Sequence, residues 1–109
     1  MVKFMMIFYK PRVMKDFEGA YNAFLAKVEQ MPDIKRRQVN SIVGGPKGDS
    51  RFHRILEVYF DDFDHLKASL NSPQGQAAGV EIAKFPTGTC EMIFAEVYEE
   101  AGGQTPTEE

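Results

Sequence analysis

The first element of the chain is predicted from a continuous apolar run. Val2 to Tyr9 reads VKFMMIFY, with seven apolar residues in eight positions. A strand with one face in water alternates apolar and polar residues, whereas an unbroken apolar run is typical of a strand covered on both faces. The pattern therefore predicts a β-strand with no face left to solvent.

The next segment has the three-and-four-residue spacing of an amphipathic helix. After Lys10-Pro11-Arg12, we expect Asp16 to cap a helix that ends near Gln30 or Met31, just before Pro32. Its apolar residues fall on one face: Phe17, Ala20, Tyr21, Phe24, Leu25 and Val28. This is the clearest periodic signal in the sequence.

Two strands joined by a hairpin are expected next. Ile34 to Val43 mixes apolar and polar residues, which indicates a more exposed strand. The glycine-rich stretch from Gly44 to Gly48 then leads to a strong strand over Phe52 to Phe60. Because that stretch does not open a helix, we interpret it as a hairpin connection and not as a phosphate-binding loop. Strict alternation gives the strong strand two faces, one with Phe52, Arg54, Leu56, Val58 and Phe60, the other with His53, Ile55, Glu57 and Tyr59.

The second helical region is predicted to consist of two pieces. Asp61 or Asp62 caps the first piece, and Asn71 stops it. Ser72-Pro73 is a new start signal, because serine is a favoured N-cap and proline a favoured first helical residue. The second piece is expected over Gln74 to Lys84. The Phe85-Pro86-Thr87-Gly88 break then leads to a last strand at about Thr89 to Tyr98.

This order of elements, β-α-β-β-α-β, matches the ferredoxin-like plan, an α+β fold whose four-stranded antiparallel sheet carries its helices on one face. Such a sheet leaves its other face bare in a monomer, yet the first and third strands are apolar on both faces. We expect a second copy, related by a two-fold axis, to cover that face, so the predicted partner is a homodimer through the sheet face. Residues 1 to 99 form the single domain, and residues 100 to 109 are expected to be a flexible acidic tail.

Composition narrows the function classes. The formal charge is -3, and the four glutamates after residue 98 supply -4, which leaves -3 - (-4) = +1 on residues 1 to 98. That balance lacks the basic footprint of a nucleic-acid-binding protein. The single cysteine, Cys90, cannot form an internal disulfide and is expected to be a buried apolar residue, so the cytoplasm is the expected compartment. No metal, cofactor or membrane association is expected, since no metal-ligand pattern or membrane-spanning run is present.

Short motifs in a fixed order cover residues 2 to 98 and carry a resemblance to a known family. They are the apolar strand ending in Tyr9-Lys10-Pro11, then Phe17 and Tyr21, Met31-Pro32, Tyr59-Phe60-Asp61, Leu70 to Gly75, and Phe85 to Gly88. In their order and spacing the chain resembles the EthD-like proteins, which belong to the dimeric α/β-barrel group and are named for a component of an ethyl tert-butyl ether degradation system. The resemblance implies a ferredoxin-like dimer with a cavity between the sheet and the helices of each subunit.

Two positions depart from the pattern of that family. Its members often carry a histidine in the first helix, followed two residues later by proline, and the matching positions here are Phe24 and Ala26. An acid or base that this helix would contribute to the pocket is therefore missing. The glycine that usually follows Met31-Pro32 is Asp33, which concerns only the helix exit because Asp tolerates a left-handed backbone.

Three functional interpretations remain open at this stage. The first is binding of an apolar or aromatic molecule, in degradation or secondary metabolism, by a cavity whose walls are Tyr9, Tyr21, Phe24, Tyr59, Phe85 and Met92, although these side chains would serve equally well as core. The second is a cofactorless monooxygenase- or isomerase-type enzyme that uses His53, Glu57 or Tyr59 as acid or base; an interface polar cluster would explain the same three residues. The third is an assembly module without a ligand. His65 is interpreted as a solvated surface residue.

Overall fold

The computed structural model describes residues 1–103 of the chain. Seven elements follow one another: β1 (Val2–Tyr9), α1 (Met14–Val28), β2 (Arg36–Ser41), β3 (Phe52–Phe60), α2 (Phe63–Asn71), α3 (Pro73–Ile82) and β4 (Cys90–Glu96). Of the predicted tail, 100–109, residues 104–109 lie outside the described part, and residues 100–103 belong to no helix or strand. None of the helices within residues 1–103 has the length and apolar character needed to cross a lipid bilayer.

The four strands form one antiparallel sheet in the order β2-β3-β1-β4. The first strand pairs on both sides, so that Met6 lies opposite Leu56 of β3 and Met92 of β4. β1 and β3 are thus the two central strands, which explains why their sequences are the most apolar. The topology confirms the predicted α+β, ferredoxin-like fold, including the second helix in two pieces.

All three helices contribute to a core on one face of the sheet, the helix face. Phe8, Leu56 and Phe60 on this face are fully buried. The core side chains alternate along β1 and β3 and meet α1, α2 and α3: Met6, Phe8, Leu56, Val58, Phe60, Phe17, Tyr21, Phe24, Val28, Met31, Leu66 and Ala78. The helical spacing found in the sequence therefore does mark the buried stripe of α1.

The two predicted N-caps at the split helix are confirmed. Asp62 accepts a hydrogen bond from the His65 backbone N–H at 2.9 Å, and the Ser72 hydroxyl accepts one from the Gly75 N–H at 3.0 Å. Ser72 also donates to the Ser69 carbonyl at 2.6 Å, so a single side chain closes α2 and opens α3. A Cβ on Gly75 would lie 2.2 Å from the Ser69 carbonyl oxygen, which shows how tightly the two helices meet.

The predicted cap of α1 is wrong. The helix begins at Met14 with Val13 at the N-cap position and no side-chain cap, and Asp16 lies within the first turn. A carboxylate there still interacts favourably with the N-terminal end of the helix dipole, which explains the acidic residue without a capping hydrogen bond. At the helix exit Asp33 has φ 68°, as expected for the residue that replaces the family's glycine.

A β-bulge changes the predicted faces of β3. Phe8 pairs with Arg54 but Tyr9 pairs with Phe52, which leaves His53 as the extra residue. The His53 ring consequently lies 5.0 Å from the ring of Phe17 on α1, while Phe52 packs 5.3 Å from Tyr9. The prediction that His53 shares a face with Glu57 and Tyr59 is therefore wrong, because strict alternation fails at the bulge.

Candidate functional site

An apolar cavity of about 160 Å³ lies between the sheet, α1 and α3. Every residue of its wall is apolar or glycine: Phe4, Met6, Phe24, Val28, Met31, Val58, Leu70, Gly75, Ala78, Gly79, Ile82 and Met92. Gly79 and Met92 are also exposed, so the cavity reaches solvent between α3 and β4. Three of the wall residues are methionines, whose flexible thioethers adapt to guests of different shape.

Size and polarity define what this cavity can hold. An apolar cavity of roughly 150 Å³ in a protein interior stays dry and accepts benzene or xenon. The volume here is similar, and a Cβ added at Gly79 would meet no atom within 4 Å, so the wall is open at that point. The cavity therefore suits a compact apolar molecule of about the size of benzene.

The structure divides the six residues expected to form the cavity wall into three pairs. Phe24 and Met92 line the cavity. Tyr21 and Phe85 belong to the adjoining aromatic core. Tyr9 and Tyr59 point away from the helices, because they alternate with Phe8 and Phe60, so these two do not line this cavity.

The adjoining aromatic core is centred on Phe8. Ring centroids of Phe17, Tyr21 and Phe85 lie 5.5, 5.5 and 5.2 Å from that of Phe8, and that of Phe24 lies at 6.5 Å. Edge-to-face contacts dominate, which are the favourable arrangement for aromatic quadrupoles. This aromatic cluster, made of Phe8, Phe17, Tyr21, Phe24 and Phe85, adjoins the cavity through Phe24.

An ion pair between Arg54 and Glu18 lies against the Phe17 and Tyr21 rings of the aromatic cluster. Arg54 makes two parallel hydrogen bonds to Glu18 at 3.0 and 2.9 Å, and its guanidinium lies 4.6 Å from the centroid of the Tyr21 ring. The hydrogen bonds from Arg54 hold the pKa of Glu18 below its ordinary value, whereas burial raises the pKa of Tyr21. Sequence reasoning missed this ion pair, although an arginine among the core-facing residues of β3 was a signal for a buried partner.

The opposite face of the sheet, the open face, carries a hydrogen-bonded network around Glu57. Its carboxylate accepts from Lys3 at 2.6 Å, from Asn40 at 2.6 Å and from the Tyr59 hydroxyl at 3.0 Å. Gln38 lies 2.9 Å from the same hydroxyl. The Tyr59 hydroxyl proton therefore has two acceptors within reach, Gln38 Oε1 and Glu57 Oε1.

This network keeps Glu57 ionised. Burial raises the pKa of Glu57, but the hydrogen bonds from Lys3, Tyr59 and Asn40 outweigh it and hold the pKa below the ordinary value. The hydrogen bond to Glu57 in turn raises the pKa of Lys3. A carboxylate with three donors and a lowered pKa is a poor proton acceptor, so the network has the character of a structural element.

The three residues considered as acid or base are not brought together. Glu57 and Tyr59 are hydrogen-bonded on the open face, whereas His53 lies against α1 on the helix face. His65 is an exposed residue whose imidazole pairs with Asp62 at 2.7 Å, and that hydrogen bond raises the pKa of His65. Burial raises the pKa of Cys90 to about 11, which is unfavourable for a nucleophile. Among residues 1–103, no three His, Cys, Asp or Glu side chains are grouped closely enough to hold a metal ion.

Comparison with known proteins gives relatives along most of the chain. The EthD domain profile matches residues 9–89. An uncharacterised 11.0 kDa protein from the thcB-thcC intergenic region of Rhodococcus erythropolis is 28% identical over 72 residues, which cover 63% of this chain and 67% of that protein. The crystal structure of an EthD family protein from Bacillus halodurans superposes with a TM-score of 0.85 and 27% identity, covering 90% of this chain and 99% of that one.

More distant structures share the fold alone. A dimeric ferredoxin-like protein of unknown function from Bacteroides fragilis has a TM-score of 0.63 at 19% identity, covering 88% of this chain and 95% of the other. SnoaB, a cofactor-independent oxygenase from Streptomyces nogalater, has a TM-score of 0.66 at 15% identity, covering 93% and 96%. The domain match extends over most of the chain, and the architecture agrees with it. This chain belongs to the EthD family.

Proposed function

We propose that this protein is a homodimer that binds a small apolar or aromatic organic molecule in the cavity between α1, α3 and the sheet. The observation that carries the proposal is the wall of that cavity, which consists of apolar residues and glycine throughout. A site of this kind selects guests by size and hydrophobicity. Degradation or secondary metabolism is the setting we propose, and the cytoplasmic location stays a prediction.

Benzene and toluene are suitable probes, because their size matches the cavity. We expect either compound to raise the midpoint of thermal unfolding. At a concentration of 100 times Kd, the free energy of unfolding should increase by about 2.7 kcal/mol. Binding measured by calorimetry should be abolished in Gly79→Leu, because Gly79 lines the cavity and no neighbouring atom blocks a larger side chain from occupying its entrance.

Gly19→Leu is the matched control for that experiment. Gly19 also lies within a helix, is exposed, and has no atom within 4 Å of an added Cβ, but it does not line the cavity. The two variants gain similar helix propensity, so a difference between them reports on the cavity. No binding of either probe by the wild type, or equal binding by both variants, would contradict the proposal and favour an assembly module without a ligand.

The homodimer is supported by the composition of the open face. This face combines apolar residues, of which Ile93 is exposed and the others are half-buried, with two positive and two negative side chains: Met5, Ile7, Ile55 and Ile93, with Lys3, Arg36, Glu57 and Glu91. Equal numbers of opposite charges suit a two-fold interface, in which the same surface meets itself. The Bacteroides fragilis neighbour described as dimeric has the same fold.

Sedimentation at micromolar concentration tests the dimer. We expect a particle of twice the 12.3 kDa chain mass for the wild type. Ile93→Glu should dissociate it, because it places a charge on the open face. Val80→Glu, a change at a residue that is 60% exposed on α3, should leave it intact. A wild-type monomer would contradict the proposal.

A cofactorless enzyme has less support as an alternative. Glu57 is engaged by three donors, and His53 lies on the other side of the sheet. Acid-base catalysis needs groups that reach one reacting atom. A likeness of fold to SnoaB, at 15% identity, favours this alternative.

A further inference from the structure

We infer that a second, polar compartment adjoins the apolar cavity, that the Tyr21 hydroxyl and His53 Nε2 form it, and that Phe85 separates the two. The combined site would take a neutral molecule with an apolar ring or branched body and one hydroxyl or carbonyl group. This inference rests on the proposed function, since it concerns the same binding site and defines its ligand more closely.

Two buried polar atoms lack a partner in the described part of the chain. They are the Tyr21 hydroxyl and His53 Nε2. Tyr21 is only 3% exposed. Buried polar groups are nearly always hydrogen-bonded, because an unsatisfied one keeps the full cost of its desolvation. Both atoms therefore keep a hydrogen-bonding capacity that an external group can complete.

The two atoms belong to side chains that pack around the same ring. The centroid of Phe17 lies 5.7 Å from that of Tyr21 and 5.0 Å from that of His53. Arg54 covers the Phe17 and Tyr21 rings at 5.2 and 4.6 Å. Both side chains thus pack against the ring of Phe17, which Arg54 also covers.

This polar region is one helical turn from the apolar cavity. Tyr21 and Phe24 are three residues apart and therefore share a face of α1, and Phe24 is part of the cavity wall. On β1, the cavity-lining Met6 is followed on the same face by Phe8, which contacts Tyr21. Phe8 and Phe85 each contact Phe17 on one side and the cavity-lining Phe24 on the other, so they connect the two regions.

Phe85 is the less constrained of these two residues. Phe8 is fully buried on a strand paired on both sides, so its displacement would disrupt the sheet. Phe85 is half-buried on the connection between α3 and β4, and it packs 5.2, 6.0 and 6.4 Å from Phe8, Phe17 and Phe24. Rotation of this side chain would join the two regions without changing the strands.

The electrostatics of the region favour a neutral polar group. The positive charge of Arg54 is already matched by Glu18 through two hydrogen bonds, so no net charge is left to attract a carboxylate. A phenol hydroxyl both donates and accepts, as do the tyrosine hydroxyl and, in its two tautomers, the imidazole nitrogen. An aryl alcohol or ketone fits this set of partners.

Benzene and phenol form the test pair, because they differ by one hydroxyl. We expect wild-type protein to bind phenol about 5- to 10-fold more tightly than benzene by calorimetry, the effect of one or two neutral hydrogen bonds. Tyr21→Phe should remove this preference, so that phenol and benzene bind with similar affinity. Phenol should also shift the ¹⁵N resonance of His53 Nε2, whereas benzene should not.

Tyr98→Phe is the control, because Tyr98 is 77% exposed and distant from the cavity wall. It should keep the preference for phenol. Binding of benzene with no Tyr21-dependent preference for phenol would overturn this inference alone. Binding of phenol with that preference but of no apolar probe would overturn the proposed apolar selectivity and support the polar compartment. Binding of neither compound would overturn both.

Discussion

Two glycines on α3 lie four residues apart, and substitution of each by alanine should change the free energy of unfolding in opposite directions. A Cβ on Gly75 would lie 2.2 Å from the Ser69 carbonyl oxygen and 2.4 Å from that of Leu70. A Cβ on Gly79 would meet nothing within 4 Å. The pair thus separates the intrinsic helix preference of alanine from the cost of overpacking.

The magnitudes follow from these distances. In a helix interior, alanine is favoured over glycine by about 1 kcal/mol, so Gly79→Ala should raise the free energy of unfolding by that amount. At Gly75 the same gain is present, but α2 and α3 must separate by roughly 1 Å to relieve contacts with backbone atoms, at a cost of about 3 kcal/mol or more. Gly75→Ala should therefore lower the free energy of unfolding by about 2 kcal/mol.

Urea unfolding followed by circular dichroism measures both variants. Protein concentration has to be equal in all samples, because the stability of a dimer depends on it. We expect the midpoint of Gly79→Ala to lie above that of the wild type and the midpoint of Gly75→Ala below it. Equal midpoints for the two variants would refute the argument that α2 and α3 meet at Gly75.

Three further predictions concern the cap, the open-face network and the thiol. Ser72→Ala should lower the free energy of unfolding by about 1 kcal/mol in the same urea assay, through loss of the α3 cap, and an unchanged midpoint would contradict this. The lowered pKa of Glu57 contributes stability that is complete above the ordinary glutamate value of 4.5 and is lost as pH falls through the folded pKa. The raised pKa of Lys3 contributes stability that is complete below 10.5 and is lost as pH rises through its folded pKa. Urea unfolding at a series of pH values should therefore give the wild type a higher free energy of unfolding than Glu57→Gln between these two limits. The difference should decline outside them, and a difference that does not depend on pH would contradict the role of the network. At pH 8, Cys90 of the folded protein should react with a thiol reagent about 100-fold more slowly than that of the urea-unfolded chain, because burial raises its pKa from 9.0 to about 11, and similar rates would show that the thiol is accessible.

Local patterns were sufficient for the elements and their order. The apolar run of β1 and the helical spacing of α1 predicted their positions, and the Ser72-Pro73 signal predicted the break between α2 and α3. Each of these depends on residues within a few positions of one another, where propensity, capping and periodicity act directly. The resemblance carried by short motifs also identified the family correctly.

Prediction of the site was weaker because it depends on contacts between distant parts of the chain. One extra residue at the bulge moves His53 to the helix face and so separates it from Glu57 and Tyr59, and this cannot be seen in an alternating sequence. Tyr9 and Tyr59 are suitable wall residues by type, yet the alternation of side chains along each strand places them on the open face.

The sequence by itself determined the fold class, the caps of the split helix and the apolar character of the two central strands, because these follow from short-range spacing and residue type. Only the tertiary structure decided where a cavity remains between α1, α3 and the sheet, and that Arg54 meets Glu18 across 36 residues of chain. Cavities and ion pairs of this kind depend on how side chains from separate elements fill a shared space, and that outcome is set by packing in three dimensions.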